Sequence, residues 1–219
     1  MKISCIADTH RTFPIPETAE FLIHAGDFSM MGMAYRHELV VLNAELSKFV
    51  AYLKTVKKDF DEVIFVPGNH DLIFETFQPW ARNELEDLGV HVLINESITL
   101  KGLNFYGSPV TPVFNDWAFN FDFKKRKQVF AGIPDNTDVV ICHGPPYGIR
   151  DFVEGVGHCG CSALGDRVNE IRPKLCVFGH IHEGYGVTKH PETTYVNCSI
   201  MDGTYQPINK PISVDVSVH

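Results

Sequence analysis

No apolar run in this 219-residue chain reaches the length of about 18–20 residues that a bilayer crossing needs. The start, Met1 to Ala7, lacks the length and the cleavage site of a secretory leader, and Asp8 and His10 interrupt it. It reads as a first strand, and the expected location is the cytoplasm, away from any membrane. Basic charge is scarce: 19 Lys and Arg stand against 27 Asp and Glu, a net charge of −8. A duplex-binding surface is normally basic, so no stable nucleic-acid complex is expected. The one basic run, Lys124 to Lys127, falls in a short helical pattern and reads as a solvated face. A disulfide framework is also missing. Cys5, Cys142 and Cys176 lie inside apolar strands, which suits small buried thiols in a reducing compartment. Cys159-Gly160-Cys161 is too short a spacing for the usual zinc knuckle. The chain shows no internal repeat, low-complexity segment or linker. Residues 1–219 therefore read as one domain, with the 44% hydrophobic and 21% charged residues of a globular core.

Histidine is abundant, with 11 residues, and their placement is informative. The stretch Val177-Phe178-Gly179-His180-Ile181-His182 is a short apolar strand running into two imidazoles two positions apart, a spacing that puts both on one side of an extended segment. The same design recurs upstream. Residues 2–7 are strand-like and end at Asp8-Thr9-His10. The segment 20–24 ends at Ala25-Gly26-Asp27, and 62–66 ends at Pro67-Gly68-Asn69-His70-Asp71. Residues 138–142 end at His143-Gly144-Pro145-Pro146. Between them, Leu39, Leu42, Leu46, Phe49, Leu53 and Val56 recur at helical steps and predict a helix over 36–58. Further helices are predicted over 72–88, split by Pro79, over 122–131 and over 162–171. Short strands are expected near 91–94, 97–100 and 103–107. Residues 108–121 and 147–161 read as loops, and the tail (185–188, 193–198, 212–218) as antiparallel strands. Strands and helices that alternate first and then give way to hairpins predict two β-rich layers flanked by helices. Ligands of open α/β sheets sit beyond the carboxyl ends of the strands, so five polar strand ends would converge at one edge.

The converging groups are imidazoles, carboxylates and one amide, with no thiolate. That mixture suits manganese, iron, zinc, cobalt or nickel better than magnesium or calcium. There are too many donors for one ion, and a shared carboxylate would hold two at roughly 3.5–4 Å. Such a pair binds two phosphate oxygens, acidifies a bridging water and supports in-line displacement of the leaving oxygen. The leaving oxygen then needs a proton. His70, with Asp71 beside it to orient it, is the candidate donor.

This ordered set, Asp8-x-His10, Gly26-Asp27, Gly68-Asn69-His70-Asp71, His143 and Gly179-His180-Ile181-His182, resembles the calcineurin-like metallophosphoesterases over essentially the whole chain. The resemblance implies an α+β fold, a four-layer α/β/β/α sandwich of two mixed sheets flanked by helices. It implies one metal on Asp8, His10, Asp27 and His182, and another on Asp27, Asn69, His143 and His180. Asp27 is the bridge in that scheme, Asn69 also touches substrate, and His70 and Asp71 complete the catalytic set. Residues 22–28, 143–146 and 172–186 look like the MPPED subgroup and its microbial relatives. Some animal members of that subgroup carry glycine at the position of His180, which impairs one site; an intact His180 implies a fully active one. The subgroup implies two divalent transition-metal ions, manganese foremost. It further implies a phosphodiesterase that hydrolyses small diesters such as 3′,5′- or 2′,3′-cyclic nucleotides through a metal-bridging hydroxide. Relatives include dimers, so a homodimer is compatible with it.

Other residues carry weaker signals. Arg11 and His158 are candidate substrate contacts. Trp117, Phe119 and Tyr147 are candidates to stack on a base, against the ordinary role of packing their loops. His24 reads as a hydrogen-bonded structural histidine; His37, His91, His190 and His219 read as surface residues. The alternatives to a phosphodiesterase are a nuclease, a phosphomonoesterase or protein phosphatase on the same fold, and a metal-stabilised nucleotide-binding scaffold. Acidic charge counts against the nuclease, and the complete donor set against the scaffold.

Overall fold

Apolar residues at alternate positions make strands with two usable faces, and this chain buries both. The computed structural model describes residues 1–218; His219 lies outside the described residues. In chain order the elements begin with β1 (Lys2–Ile6), β2 (Ala19–His24), α1 (Leu39–Val56), β3 (Phe60–Phe65), α2 (Ile73–Thr76), α3 (Gln78–Glu86), β4 (Val90–Val92), β5 (Glu96–Leu100) and β6 (Leu103–Ser108). They continue with β7 (Thr111–Pro112), β8 (Asn120–Phe121), α4 (Phe123–Ala131), β9 (Val139–Cys142), β10 (Phe152–Val153), β11 (Gly157–His158) and α5 (Ser162–Ile171). The last are β12 (Leu175–Phe178), β13 (Gly186–Lys189), β14 (Thr194–Asn197) and β15 (Ile212–Asp215).

Two mixed sheets result. One has the order β15-β1-β2-β3-β4, the other β13-β14-β12-β9-β6-β5. In each, the inner strands run parallel and an antiparallel strand closes an edge: β15 on β1, β13 on β14, β5 on β6. Three apolar layers separate the four structural ones. Ile3, Cys5, Phe21, Ile23 and Ile64 of the first sheet meet Phe105, Val139, Ile141, Val177 and Val196 of the second. On the outer face of the first sheet, Leu22, Val63 and Phe65 pack under Leu42, Leu46, Phe49 and Leu53 of α1. On the outer face of the second, Tyr106, Val140, Cys176 and Phe178 pack under Phe130 of α4 and Leu164 and Val168 of α5. The strand period of two therefore supplies both an inter-sheet core and a helix-facing core.

The helices follow the sequence signals. The helical stripe of α1 buries Leu42, Leu46, Phe49, Leu53 and Val56, and Phe49 lies flat on Phe28 with centroids 4.3 Å apart. Truncating such a ring costs about 3–5 kcal/mol. Pro79 starts α3, separating it from α2 as expected, because its missing N–H is harmless in a first turn. Asp122 caps α4 by accepting the Lys125 N–H at 2.8 Å.

The tail departs from the expected antiparallel arrangement. β14 pairs with β13 antiparallel but with β12 parallel, and β15 crosses to the other sheet to cover β1. Tyr195 and Val196 are buried on opposite faces, as an inner strand requires. Residues 108–121 and 147–161 are loops, each holding a two-residue ladder, β7–β8 and β10–β11. Among the described residues, no helix is long and apolar enough to cross a membrane.

Candidate metal centre

The parallel strands deliver their carboxyl ends to one edge, and backbone hydrogen bonds continue past the strands. Asp8 N–H donates to Gly26 O at 2.8 Å, His10 N–H to Asp27 O at 3.0 Å, and Arg11 N–H to Phe28 O at 2.9 Å. In the second sheet, Gly179 N–H donates to His143 O at 2.9 Å. The turns needed to aim the side chains inward put Asp8 (φ 49°), His10 (φ 39°), Asp27 (φ 59°) and His180 (φ 67°) in the left-handed region. That region is sparsely used by residues with a Cβ, and such strain clusters where geometry serves a function. Glycine is required beside them. At Gly179 a Cβ would meet the Asp8 carboxylate and, at 2.5 Å, the Ala7 Cβ; at Gly26 (φ 99°) it would meet the Gly68 nitrogen at 2.6 Å.

The side chains form three overlapping groups whose donor atoms lie within 4.8 Å of one another: Asp8 with His10 and His182, Asp27 with His143 and His180, and His10 with Asp27 and His70. Asp27 joins them. Its Oδ2 lies 3.9 Å from His10 Nε2 and 3.3 Å from His143 Nε2. Asn69 Oδ1 approaches His143 Nε2 at 2.9 Å.

Three rings are oriented by backbone carbonyls. His10 Nδ1 bonds Ser29 O at 2.6 Å, His143 Nδ1 bonds Ala25 O at 2.8 Å, and His182 Nδ1 bonds Asp202 O at 3.1 Å. A carbonyl only accepts, so Nδ1 carries the proton and Nε2 presents its lone pair to the cluster. This is the outer support expected of metal-ligating histidines. Asp8 Oδ1 and His10 Nε2 are buried yet have no hydrogen-bond partner, a costly state unless an ion occupies the space between them. The nitrogen and oxygen donors, their grouping and these orphaned atoms fit two divalent ions.

Without an ion, the carboxylates and imidazoles of the cluster hold one another's charge. Burial alone would raise the Asp8 carboxyl, but the imidazoles of His182 and His143 outweigh it and bring it down to about 2. Burial likewise opposes ionisation of Asp27, yet His143, His70 and His10 hold it well below the usual carboxylate range. Burial disfavours a charged His143, but the Asp27 and Asp8 carboxylates push it up to about 9. His180 is pushed down to about 3 by burial and by the neighbouring His143.

The cluster floors a cleft of about 440 Å³. Pro112, Val113, Phe114 and Trp117 line it together with Val153, Val156, Cys159, Ile181 and Tyr205; its charged lining residues are Asp27 and Glu183, beside the histidines His70, His180 and His182. His70 is half-buried there, under Trp117 with centroids 4.2 Å apart.

This arrangement is that of a known family. A calcineurin-like phosphoesterase model matches residues 1–184. The chain belongs to the calcineurin-like phosphoesterases. Human metallophosphoesterase domain-containing protein 1 is 34% identical over 241 residues, covering 97% of this chain and 70% of that protein. A UPF0046 protein of Caenorhabditis elegans is 30% identical, covering 97% and 74%. A solved structure superposes with a TM-score of 0.72 at 16% identity, covering 99% of each chain. A Thermus thermophilus structure superposes with a TM-score of 0.60 at 13% identity, covering 90% of this chain and 88% of that one. The four-layer fold of two mixed sheets is thus the family's, and the His/Asp clusters are consistent with the binuclear metal site typical of it.

Not every expected residue reaches the site of this phosphoesterase. Asp71 does not touch the His70 ring. Its carboxylate accepts the N–H groups of Asp27 (2.8 Å), Gly68 (2.8 Å) and Ser29 (3.2 Å), whereas His70 Nδ1 bonds Met31 O at 3.2 Å. Next to His70 in sequence, Asp71 turns inward and is fully buried. Arg11 pairs with Glu45 of α1 rather than facing the cleft, turned there by its own left-handed backbone (φ 68°). His158 is held outward by the buried Asp151 at 2.6 Å, and Cys159 lines the cleft instead. Phe119 is buried in the α1 core. Tyr147 packs near His158, with centroids 5.4 Å apart. His24 is buried between Thr9 Oγ1 and the Gly26 N–H. His37 and His190 are exposed, and His91 is half-buried against Glu62. Sequence reasoning missed Tyr205, whose ring lies 5.1 Å from that of His10 and 4.8 Å from that of His182. It stands in a polar loop with no motif around it. The short spacing Asp202-x-Thr204, typical of a side-chain-built turn, is the only signal that could have drawn attention there.

Proposed function

We propose that this metallophosphoesterase is a phosphodiesterase acting on small diesters that carry an apolar or planar arm, with cyclic nucleotides as the leading class. The observation that carries this reading is the cleft wall. Val113, Phe114, Trp117, Val153 and Val156 offer apolar area to an ester arm, and among the described residues no lysine or arginine lines the cleft. A diester brings one negative charge to the reacting phosphate; a monoester dianion brings two, beside Glu183 and without a protein cation. Duplex nucleic acid and large phosphoproteins would find no basic groove there.

Two divalent ions bound at the cluster supply charge neutralisation and an acidified water. Manganese is the leading candidate for a site of imidazoles, carboxylates and an amide. The chain's own residues do the rest. Asp27 places one carboxylate oxygen between the two donor groups, while its Oδ1 accepts the His70 N–H at 2.7 Å. That bond fixes the His70 backbone against the bridging residue. The ring, with its Nδ1–H donating to Met31 O, leaves Nε2 to give a proton to the leaving oxygen from the imidazolium form, which returns to the neutral Nδ1–H ring. Trp117 packs against the His70 ring and restricts its orientation. The six cysteines are free thiols, which suits a reducing, cytoplasmic setting.

The test is a turnover panel on manganese-loaded protein with bis-nitrophenyl phosphate, 3′,5′- and 2′,3′-cyclic nucleotides, nitrophenyl phosphate and single-stranded DNA, using Asp27→Asn as the blank. Diester turnover that disappears in the blank supports the reading. Activity confined to the monoester or to DNA replaces it with a phosphatase or nuclease.

A further inference from the structure

Tyr205 is a large residue in a left-handed backbone conformation, at φ 60°. For a bulky side chain that conformation is a genuine outlier, and it persists only where the surroundings enforce it. Here the enforcement is visible. The Asp202 carboxylate Oδ1 accepts the N–H of Thr204 at 2.8 Å, its hydroxyl at 2.8 Å, and the N–H of Gln206 at 2.9 Å. Tyr205 N–H donates to Asp202 O, and Asp202 N–H to Gln206 O, each at 2.9 Å. The same Asp202 carbonyl bonds His182 Nδ1. One tight turn therefore orients His182 and presents Tyr205.

The turn presses the tyrosine ring onto the metal centre. Its centroid lies 5.1 Å from that of His10 and 4.8 Å from that of His182, at tilts of 49° and 73°. Both histidines belong to the Asp8 donor group, so the ring covers that half of the centre and leaves the His143 half to other walls. Tyr205 lines the cleft and is 45% exposed. A phenol needs a partner for its O–H where it meets a ligand. The cleft lacks a protein cation for a phosphate oxygen, and the neighbouring side chains Asp27 and Glu183 offer negative charge.

We propose that Tyr205 is a further catalytic residue, whose hydroxyl donates a hydrogen bond to a phosphate oxygen bound over the Asp8–His10–His182 half of the centre. The ring acts as a fixed support and the O–H as a neutral donor where no lysine or arginine stands. A hydrogen bond to a charged oxygen is worth about tenfold or more in affinity. The assignment rests on the reading of the cleft as a phosphoester site.

The test uses the full chain loaded with manganese and reads two quantities: the dissociation constant of inorganic phosphate, by calorimetry, and kcat and KM on bis-nitrophenyl phosphate. Tyr205→Phe keeps the ring and removes the hydroxyl. The expected result is phosphate binding weakened about tenfold and kcat/KM lowered to a similar degree, with unchanged metal content by mass spectrometry. Asp202→Ala, which dismantles the turn but leaves the hydroxyl in the chain, should weaken phosphate binding in the same direction. Phosphate binding and turnover equal to wild type in Tyr205→Phe would overturn the assignment while leaving the phosphoester reading intact. So would losses confined to Tyr205→Ala, because the ring alone would then matter. A wild-type protein that holds both metals but neither binds phosphate nor turns over diester would overturn both.

Discussion

The carboxylate of Asp71 accepts the backbone N–H of Asp27 at 2.8 Å across 44 positions of sequence. Its Oδ2 also takes the Gly68 N–H, and its Oδ1 the Ser29 N–H. One buried side chain thus ties the turn after β2 to the turn after β3. Those turns carry the bridging Asp27 and the pair Asn69–His70. Asp71 is a positioning residue, and its effect on chemistry passes through Asp27.

Replacing Asp71 by Asn would face one of these N–H donors with an amide donor. The expected cost is about 1–3 kcal/mol of stability, together with weaker metal binding. Thermal unfolding and a manganese titration read the two effects. Wild-type values in both would show that the three hydrogen bonds do not organise the site.

His70→Ala should fold and keep both metals, because the Asp8–His10–His182 and Asp27–His143–His180 groups stay complete without the His70 ring. Hydrolysis of a diester with a poor leaving group should fall by about 10²–10⁴. A nitrophenyl ester, which needs little protonation, should suffer much less. Equal losses on the two substrates would remove His70 as the proton donor.

The donor groups predict separable metal losses. His180→Ala strips one member from the Asp27–His143–His180 group and leaves Asp8, His10 and His182 untouched, so bound metal should drop from about two ions per chain to about one. Asp27→Asn weakens both groups and should lower occupancy further. Metal content after gel filtration distinguishes them; full occupancy in Asp27→Asn would contradict its bridging position.

Stability of the metal-free protein should fall as pH rises from about 7 to 9, above the range in which buried neutral histidines such as His24 and His180 stop favouring the unfolded chain. The His143 imidazole is raised from 6.5 to about 9, since the Asp27 and Asp8 carboxylates outweigh its burial. Its contribution is full below the unfolded value and is lost as pH climbs through the folded one. The folded chain therefore holds a proton on His143 that the unfolded chain has released. Asp8 and Asp27 are shifted down and lose their contribution only in strong acid. Metals displace the protons on their ligands, so the increase in Tm on adding manganese should grow over the same window. A metal-free Tm that rises between pH 7 and 9 would refute this.

The sequence by itself determined the elements and the donor types. Helical spacing of Leu42, Leu46, Phe49 and Leu53 marks α1, and Pro79 marks the break before α3, because these signals act over one or two turns of backbone. The polar strand ends could be read as converging, since parallel strands share a carboxyl edge. Tertiary structure decided what depends on distant partners. Asp71 looked like the partner of its neighbour His70, yet three N–H groups from two loops claim its carboxylate. β14 had the pattern of a hairpin strand, and its parallel pairing with β12 depends on a sheet no local window contains. Tyr205, near the end of the chain, carries no periodicity and no motif. The bridge of Ser199 to Ala7, with the Asp202 turn after it, lays the Tyr205 ring on His10, a residue from the chain's opening turn.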